Sequence, residues 1–156
     1  MESRAKLLGH PVHQMLIVFP LGLLATAVIV YFVGGALIFA ELSHYLIIAG
    51  LIGGAVAAPF GLIDWLAIPS NTRAKRIGAL HGGGNVVVLL LFLASALLRA
   101  NLPSAPPVAA YVCSFAGAAL ALVTAWLGGE LVDRLGIGIS DGAHADAPSS
   151  LRHGTT

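Results

Sequence analysis

The sequence predicts an all-α integral membrane protein: a four-helix bundle running up-down-up-down with both termini cytoplasmic. Three observations carry that expectation. Of the 156 residues, 58% are apolar and only 10% are charged, against about 45–50% and about 25% in soluble domains, so too little charge is available to coat a water-facing surface. Mean hydropathy is +0.92. Four apolar runs each approach or exceed the roughly 20 residues that a helix needs to cross a hydrocarbon core of about 30 Å. Basic residues fall unevenly on the two sides those runs would define.

Taken in order, residues 1–13 form a polar N-terminal segment, and 14–135 hold the membrane domain. Its helices are expected at about 15–40, 45–68, 82–98 and 108–130. The first run is longer than the apolar stretch of about 7–15 residues in a signal peptide, and no small-x-small cleavage site ends it. Pro20 and Pro59 each remove a backbone donor and should kink the first and second helices. The second helix carries Gly50, Gly53, Gly54, Ala57, Ala58 and Gly61, and the fourth Ser114, Gly117, Ala118 and Ala121; such small residues let membrane helices approach closely. The connections are a short Glu41–His44 link, a basic turn at 69–76 and a proline-rich turn at 99–107. Past Glu130 the pattern continues briefly until Gly136 and Gly138 break it, and 136–156 reads as a disordered tail. No internal repeat is visible.

Arg4, Lys6, Arg73, Lys75, Arg76, Arg134 and Arg152 would share one side of the membrane, and Arg99 would stand alone on the other. This bias places both termini and the second connection on the cytoplasmic side of the membrane. Net charge of +1 argues against nucleic acid as a partner, and the single cysteine, Cys113, excludes an internal disulfide.

Folding the helices up and down gathers His10, His13, Asp64, His81, Asn85 and Glu130 into one layer at the cytoplasmic ends. Pro11 suits the first position of a helix, so His13 falls in the opening turn. His81 and Asn85, one turn apart, share a face. Asp64 lies about a turn inside its apolar run, where a carboxylate is costly unless a cation, an imidazole or a metal partners it. Imidazoles and carboxylates arriving from separate helices suit a cofactor site. In a haem b form, His13 and His81 are axial ligands, with Asn85 or Asp64 beside them. In a transition-metal form, His10, His13, Asp64, His81 and Glu130 share the ion. Electron transfer or metal handling would follow. The bland alternative is that these are interfacial polar groups in a non-catalytic membrane subunit or partner-binding bundle. Ion transport through Asp64 is a third reading, which would need a dimer. No phosphate loop, nucleophile triad or dinucleotide fingerprint is present, which weighs against an enzyme. The expected partners are the lipid bilayer, a second copy of the chain or a membrane redox protein.

The segments Gly9-His10-Pro11-Val12-His13-Gln14-Met15-Leu16 and Phe19-Pro20-Leu21-Gly22 resemble those of the bacterial membrane proteins grouped as domain of unknown function 2231. Gly61-Leu62-Ile63-Asp64-Trp65, the His81 and Asn85 pair, and Gly128-Gly129-Glu130-Leu131-Val132 with Gly136-Ile137-Gly138 extend the resemblance over residues 8 to 139. It implies four membrane helices and no settled activity. Many relatives have a further histidine where this chain has Val18.

Overall fold

The computed structural model describes residues 1–34, 39–99 and 105–151, the side chains of 32–34 excepted. A two-residue hairpin, β1 (Lys6–Leu7) against β2 (His10–Pro11), precedes the helices. Then follow α1 (Val12–Leu16), α2 (Val18–Gly34), α3 (Ala40–Ala67), α4 (Arg73–Leu98) and α5 (Val108–Gly129), the last running on into a π-helical turn at Glu130–Arg134. Four helical stretches, Val12–Tyr31, Ala40–Ala67, Arg73–Leu98 and Val108–Arg134, are long and apolar enough to cross a membrane.

Local chemistry sets the boundaries. The expected kink at Pro20 appears as the break between α1 and α2 at Ile17. The proline ring crowds the carbonyl four residues back, at Leu16, and donates nothing to it. Around Pro59, by contrast, α3 remains one helix. The link expected at 41–44 is helical, since α3 begins at Ala40 with Glu41 in its first turn, where the helix dipole favours a carboxylate. Ala40, expected to end the first helix, opens α3 instead, and residues 35–38 of that expected run lie outside the described residues.

The third helix begins at Arg73, nine residues before its apolar run, so half of the basic turn, with its three cations, is helix. Thr72 caps it: its Oγ1 accepts from the Lys75 N–H at 3.1 Å and donates to the Pro69 carbonyl at 2.8 Å. Cations in a helix's first turn oppose its dipole, and two of the three here find outside anchors. Arg73 pairs with Glu130. Lys75 donates to the Trp65 carbonyl at 2.7 Å, at the negative end of α3, and lies 4.0 Å from the Trp65 ring centre.

Packing is inverted relative to a soluble protein. The buried positions of α3 are Ala40, Ser43, Ile47, Gly50, Gly54 and Ala57, and those of α5 are Ala110, Ser114, Gly117 and Thr124. Large side chains such as Leu62, Leu66, Val86, Leu90, Val112 and Leu122 face outward. Helices pack here by close backbone approach, and lipid solvates the apolar exterior.

The chain forms two hairpins, α2 on α3 and α4 on α5, joined mainly through α3 and α4. Their contacts repeat, although no repeat is visible in the sequence. A Cβ on Gly50 would strike Leu24 at 2.7 Å, and one on Gly117 would strike Phe92 at 2.9 Å. Ser43 Oγ donates to the Ala27 carbonyl across 16 residues, and Ser95 Oγ to the Ala110 carbonyl across 15. Ala27 and Ser95 occupy matching places, as do Ser43 and Ala110, so the same contact is made with donor and acceptor exchanged. Side-chain identity has diverged where the constraint on helix approach has not.

Candidate functional site

The repeat extends to the two membrane-layer histidines. His13 Nδ1 lies 3.0 Å from the Ala57 carbonyl, 44 residues away, and His81 Nδ1 lies 2.8 Å from the Thr124 carbonyl, 43 residues away. Each ring rests on the glycine one turn beyond its acceptor: a Cβ at Gly61 would come within 2.7 Å of the His13 ring, and one at Gly128 within 3.1 Å of the His81 ring. A glycine is what allows an imidazole to reach the backbone of the facing helix at each place.

A carbonyl oxygen only accepts, so Nδ1 carries the proton in both rings, and in the neutral imidazole Nε2 holds the lone pair. For His81 that lone pair meets Asn85 Nδ2 at 3.2 Å, while Asn85 Oδ1 accepts from Thr124 Oγ1 at 2.9 Å. His81, Asn85 and Thr124 thus close a ring of hydrogen bonds in which each link has one donor and one acceptor. Turning the Asn85 amide over gives a second consistent arrangement, with an imidazolium donating to Oδ1 and Thr124 Oγ1 donating to the Ala121 carbonyl, 3.0 Å away. The ring therefore accommodates either protonation state of His81. Among the described residues, His13 Nε2 has no protein partner.

The two imidazoles lie 6.5 Å apart between ring centres and nearly perpendicular, at 86°. His13, His81 and Asn85 are thus brought together as expected, with Thr124 added. The remaining candidates have other partners. Asp64 accepts from Ser3 Oγ at 2.8 and 2.9 Å, from the Arg4 N–H at 2.7 Å and from the Ala5 N–H at 3.3 Å. Neutral donors of the N-terminal segment satisfy it in place of the cation, imidazole or metal expected. Glu130 accepts from Arg73 Nη2 at 2.6 Å. His10 sits exposed in the small hairpin, 3.4 Å from Ser150 Oγ. Among the described residues no three His, Cys, Asp or Glu side chains gather as a metal centre would require.

Thr124 and Ser3 escape sequence reading for different reasons. A threonine in an apolar helix reads as a packing residue, and its separation from Asn85 is 39 positions. Ser3 precedes every periodic element and reaches Asp64 only because the N-terminal segment folds back over the end of α3.

No curated protein and no solved structure is significantly similar to this chain. The profile of one family matches residues 9–141, which include the His-Pro-x-His opening, Gly61 to Trp65, His81 with Asn85 and Gly128 to Val132. The chain therefore belongs to the DUF2231 family, described as predicted membrane proteins.

Proposed function

We propose that this protein is a haem-binding module of the bacterial inner membrane, with His13 and His81 as the axial pair and the ligand near the cytoplasmic ends of the helices. The observation that carries the reading is the matched hydrogen bonding of the two imidazoles. Each gives its Nδ1 proton to a backbone carbonyl, which is how proteins fix the tautomer and raise the basicity of a metal-ligating histidine. His13 and His81, with ring centres 6.5 Å apart, are the residues that would hold the iron. A haem iron needs only two axial ligands from protein. A bare transition-metal ion needs three or four ligands, which favours the haem form over the metal-ion form. For His81 to hold the iron, its Nε2 would have to give up the hydrogen bond from Asn85. Haem held there would supply one-electron chemistry, with a membrane redox partner or a second copy of the chain as the other participant.

The closed ring of His81, Asn85 and Thr124 favours a second reading, a polar clamp in a non-catalytic bundle, because it satisfies each group without a ligand. Absorption spectra and iron analysis of the full chain, purified in detergent from cells supplied with haem precursor, separate the two. The haem reading expects a Soret band that disappears in His81→Ala and in His13→Ala and survives in Asn85→Leu. A colourless, iron-free wild-type protein would sink it. An Asn85→Leu variant that only loses stability would support the clamp.

A further inference from the structure

At the other end of the bundle, where α4 stops, Arg99 is only 2% exposed. No carboxylate pairs with it among the described residues. Nor does the sequence offer one nearby: residues 65–129 contain no Asp or Glu, and residues 3–63 contain only Glu41. Glu41 is exposed and accepts from Tyr45 Oη at 3.3 Å.

The hydrogen bonds of Arg99 use one side of its guanidinium. Nε donates to Ser95 Oγ at 3.1 Å and Nη2 to Ser114 Oγ at 3.3 Å. Those two hydroxyls are 2.7 Å apart, and Ser95 Oγ gives its own proton to the Ala110 carbonyl at 2.7 Å. Ser114 must then donate to Ser95. The serine pair takes the side fork, where a carboxylate would ordinarily bind bidentately, but brings no charge. Nη1 is buried and has no partner among the described residues. The carbonyls at the end of α4 offer about half an elementary charge, too little to balance a full cation.

Aromatic rings complete the surroundings. The guanidinium carbon lies 4.6 Å from the Tyr31 ring centre and 5.5 Å from that of Tyr111, and the two rings meet edge to face at 4.7 Å. Both phenol hydroxyls are buried and have no partner among the described residues. One cation with a vacant donor edge and two unpaired hydroxyl donors therefore stand in a single contact group. Unpaired buried polar groups are rare in folded proteins because each forfeits its hydration, and three in one group point to a missing acceptor.

We propose that this group is a binding site for an oxyanion of one negative charge, a phosphodiester or carboxylate, held end-on by Nη1 and Nη2 of Arg99 and by the hydroxyls of Tyr31 and Tyr111. Such a group is carried both by anionic lipid headgroups and by small soluble anions. The site is separate from the histidine pair and does not depend on haem.

The test uses the full chain in neutral maltoside detergent, with unfolding followed by tryptophan fluorescence. One arm adds sodium phosphate or acetate against sodium chloride at equal ionic strength. The other adds phosphatidylglycerol against zwitterionic phosphatidylcholine. A ligand of the folded state raises the midpoint saturably, so a rise of several degrees is expected in one arm, and that arm identifies the source. Arg99→Met should abolish the rise, Arg99→Lys should not restore it for want of the fork, and the double variant Tyr31→Phe, Tyr111→Phe should weaken it. Native mass spectrometry of wild type and the tyrosine double variant, comparing retained phosphatidylglycerol or phosphate, serves if Arg99→Met fails to fold. No saturable rise in either wild-type arm overturns the proposal. So does an equal response in wild type and Arg99→Met, or equal retention by wild type and the double variant.

Discussion

At the scale of single residues, the histidine sites depend on the absence of a side chain. His13 lies against Gly61 and His81 against Gly128, with the closer approach at Gly61. Alanine in a helix interior usually gains up to about 1 kcal/mol over glycine, whereas a methyl forced into filled space costs about 1–3 kcal/mol. Gly61→Ala should therefore lower the unfolding midpoint in detergent and pull His13 from the Ala57 carbonyl. Gly128→Ala should do the same to His81 more weakly. Gly129→Ala, where nothing lies within 4 Å, should be neutral or stabilising. Nitrogen-15 imidazole spectra check the geometry, with loss of the Nδ1–H tautomer signal expected for the ring displaced. Equal behaviour of the three variants would refute this account of the glycines.

At the scale of elements, the two ends of the chain meet over the membrane domain. The α-ammonium of Met1 donates to the Gly136 carbonyl at 2.9 Å, and the Gly138 N–H donates to the Met1 carbonyl at 2.9 Å. Gly136 and Gly138 adopt positive φ, 64° and 84°, which turns the chain there away from the helix axis. Glu2 pairs with Lys6 and accepts from the Asp141 N–H at 3.1 Å. The hydrogen bond from Lys6, then that from Asp141, hold its carboxyl below the ordinary glutamate range. A carboxyl lowered by folding contributes stability above its unfolded pKa, about 4.3, and loses it as pH falls through the lower folded value. Acidification through and below pH about 4 should therefore loosen residues 136–151 from the N-terminal segment. Limited proteolysis with an acid-active protease would show cleavage in that stretch rising as pH falls in wild type. In Glu2→Gln, cleavage should already be high at the upper end of the range and change less.

At the scale of the whole molecule, small residues inside and large apolar residues outside make two hairpins that pack by shape and need lipid for their exterior. Each hairpin is continuous in sequence and holds its own imidazole-to-carbonyl contact. Helices that are stable singly in a bilayer associate in a second step. Co-expressed fragments cut within residues 69–71 should accordingly reassemble and co-purify, held by α3 against α4, Asp64 with the N-terminal segment remaining in the first fragment. Fragments that are each inserted in the membrane but do not co-purify would show that the connecting turn, with its clasp of Lys75 on Trp65, is essential to assembly.

The sequence by itself determined the solvent, the number of spans and the layer in which the histidines fall. These follow from run length against bilayer thickness and from composition, both local properties. It put His13, His81 and Asn85 in one layer with His10, Asp64 and Glu130, because helix ends at one depth share a layer, but a shared layer does not decide which of them meet. It placed the start of α4 too late, since a hydropathy run cannot register a polar first turn anchored by its neighbours, as Arg73 is by Glu130. Only the tertiary structure decided which groups satisfy Asp64, which nitrogen of each imidazole carries the proton, that the hairpins repeat, and that Arg99 is buried with no counter-charge among the described residues. Each depends on which atoms come within about 3 Å across a helix interface. Close packing between membrane helices restricts size at a position far more than identity, so those pairings leave little periodic trace along the chain.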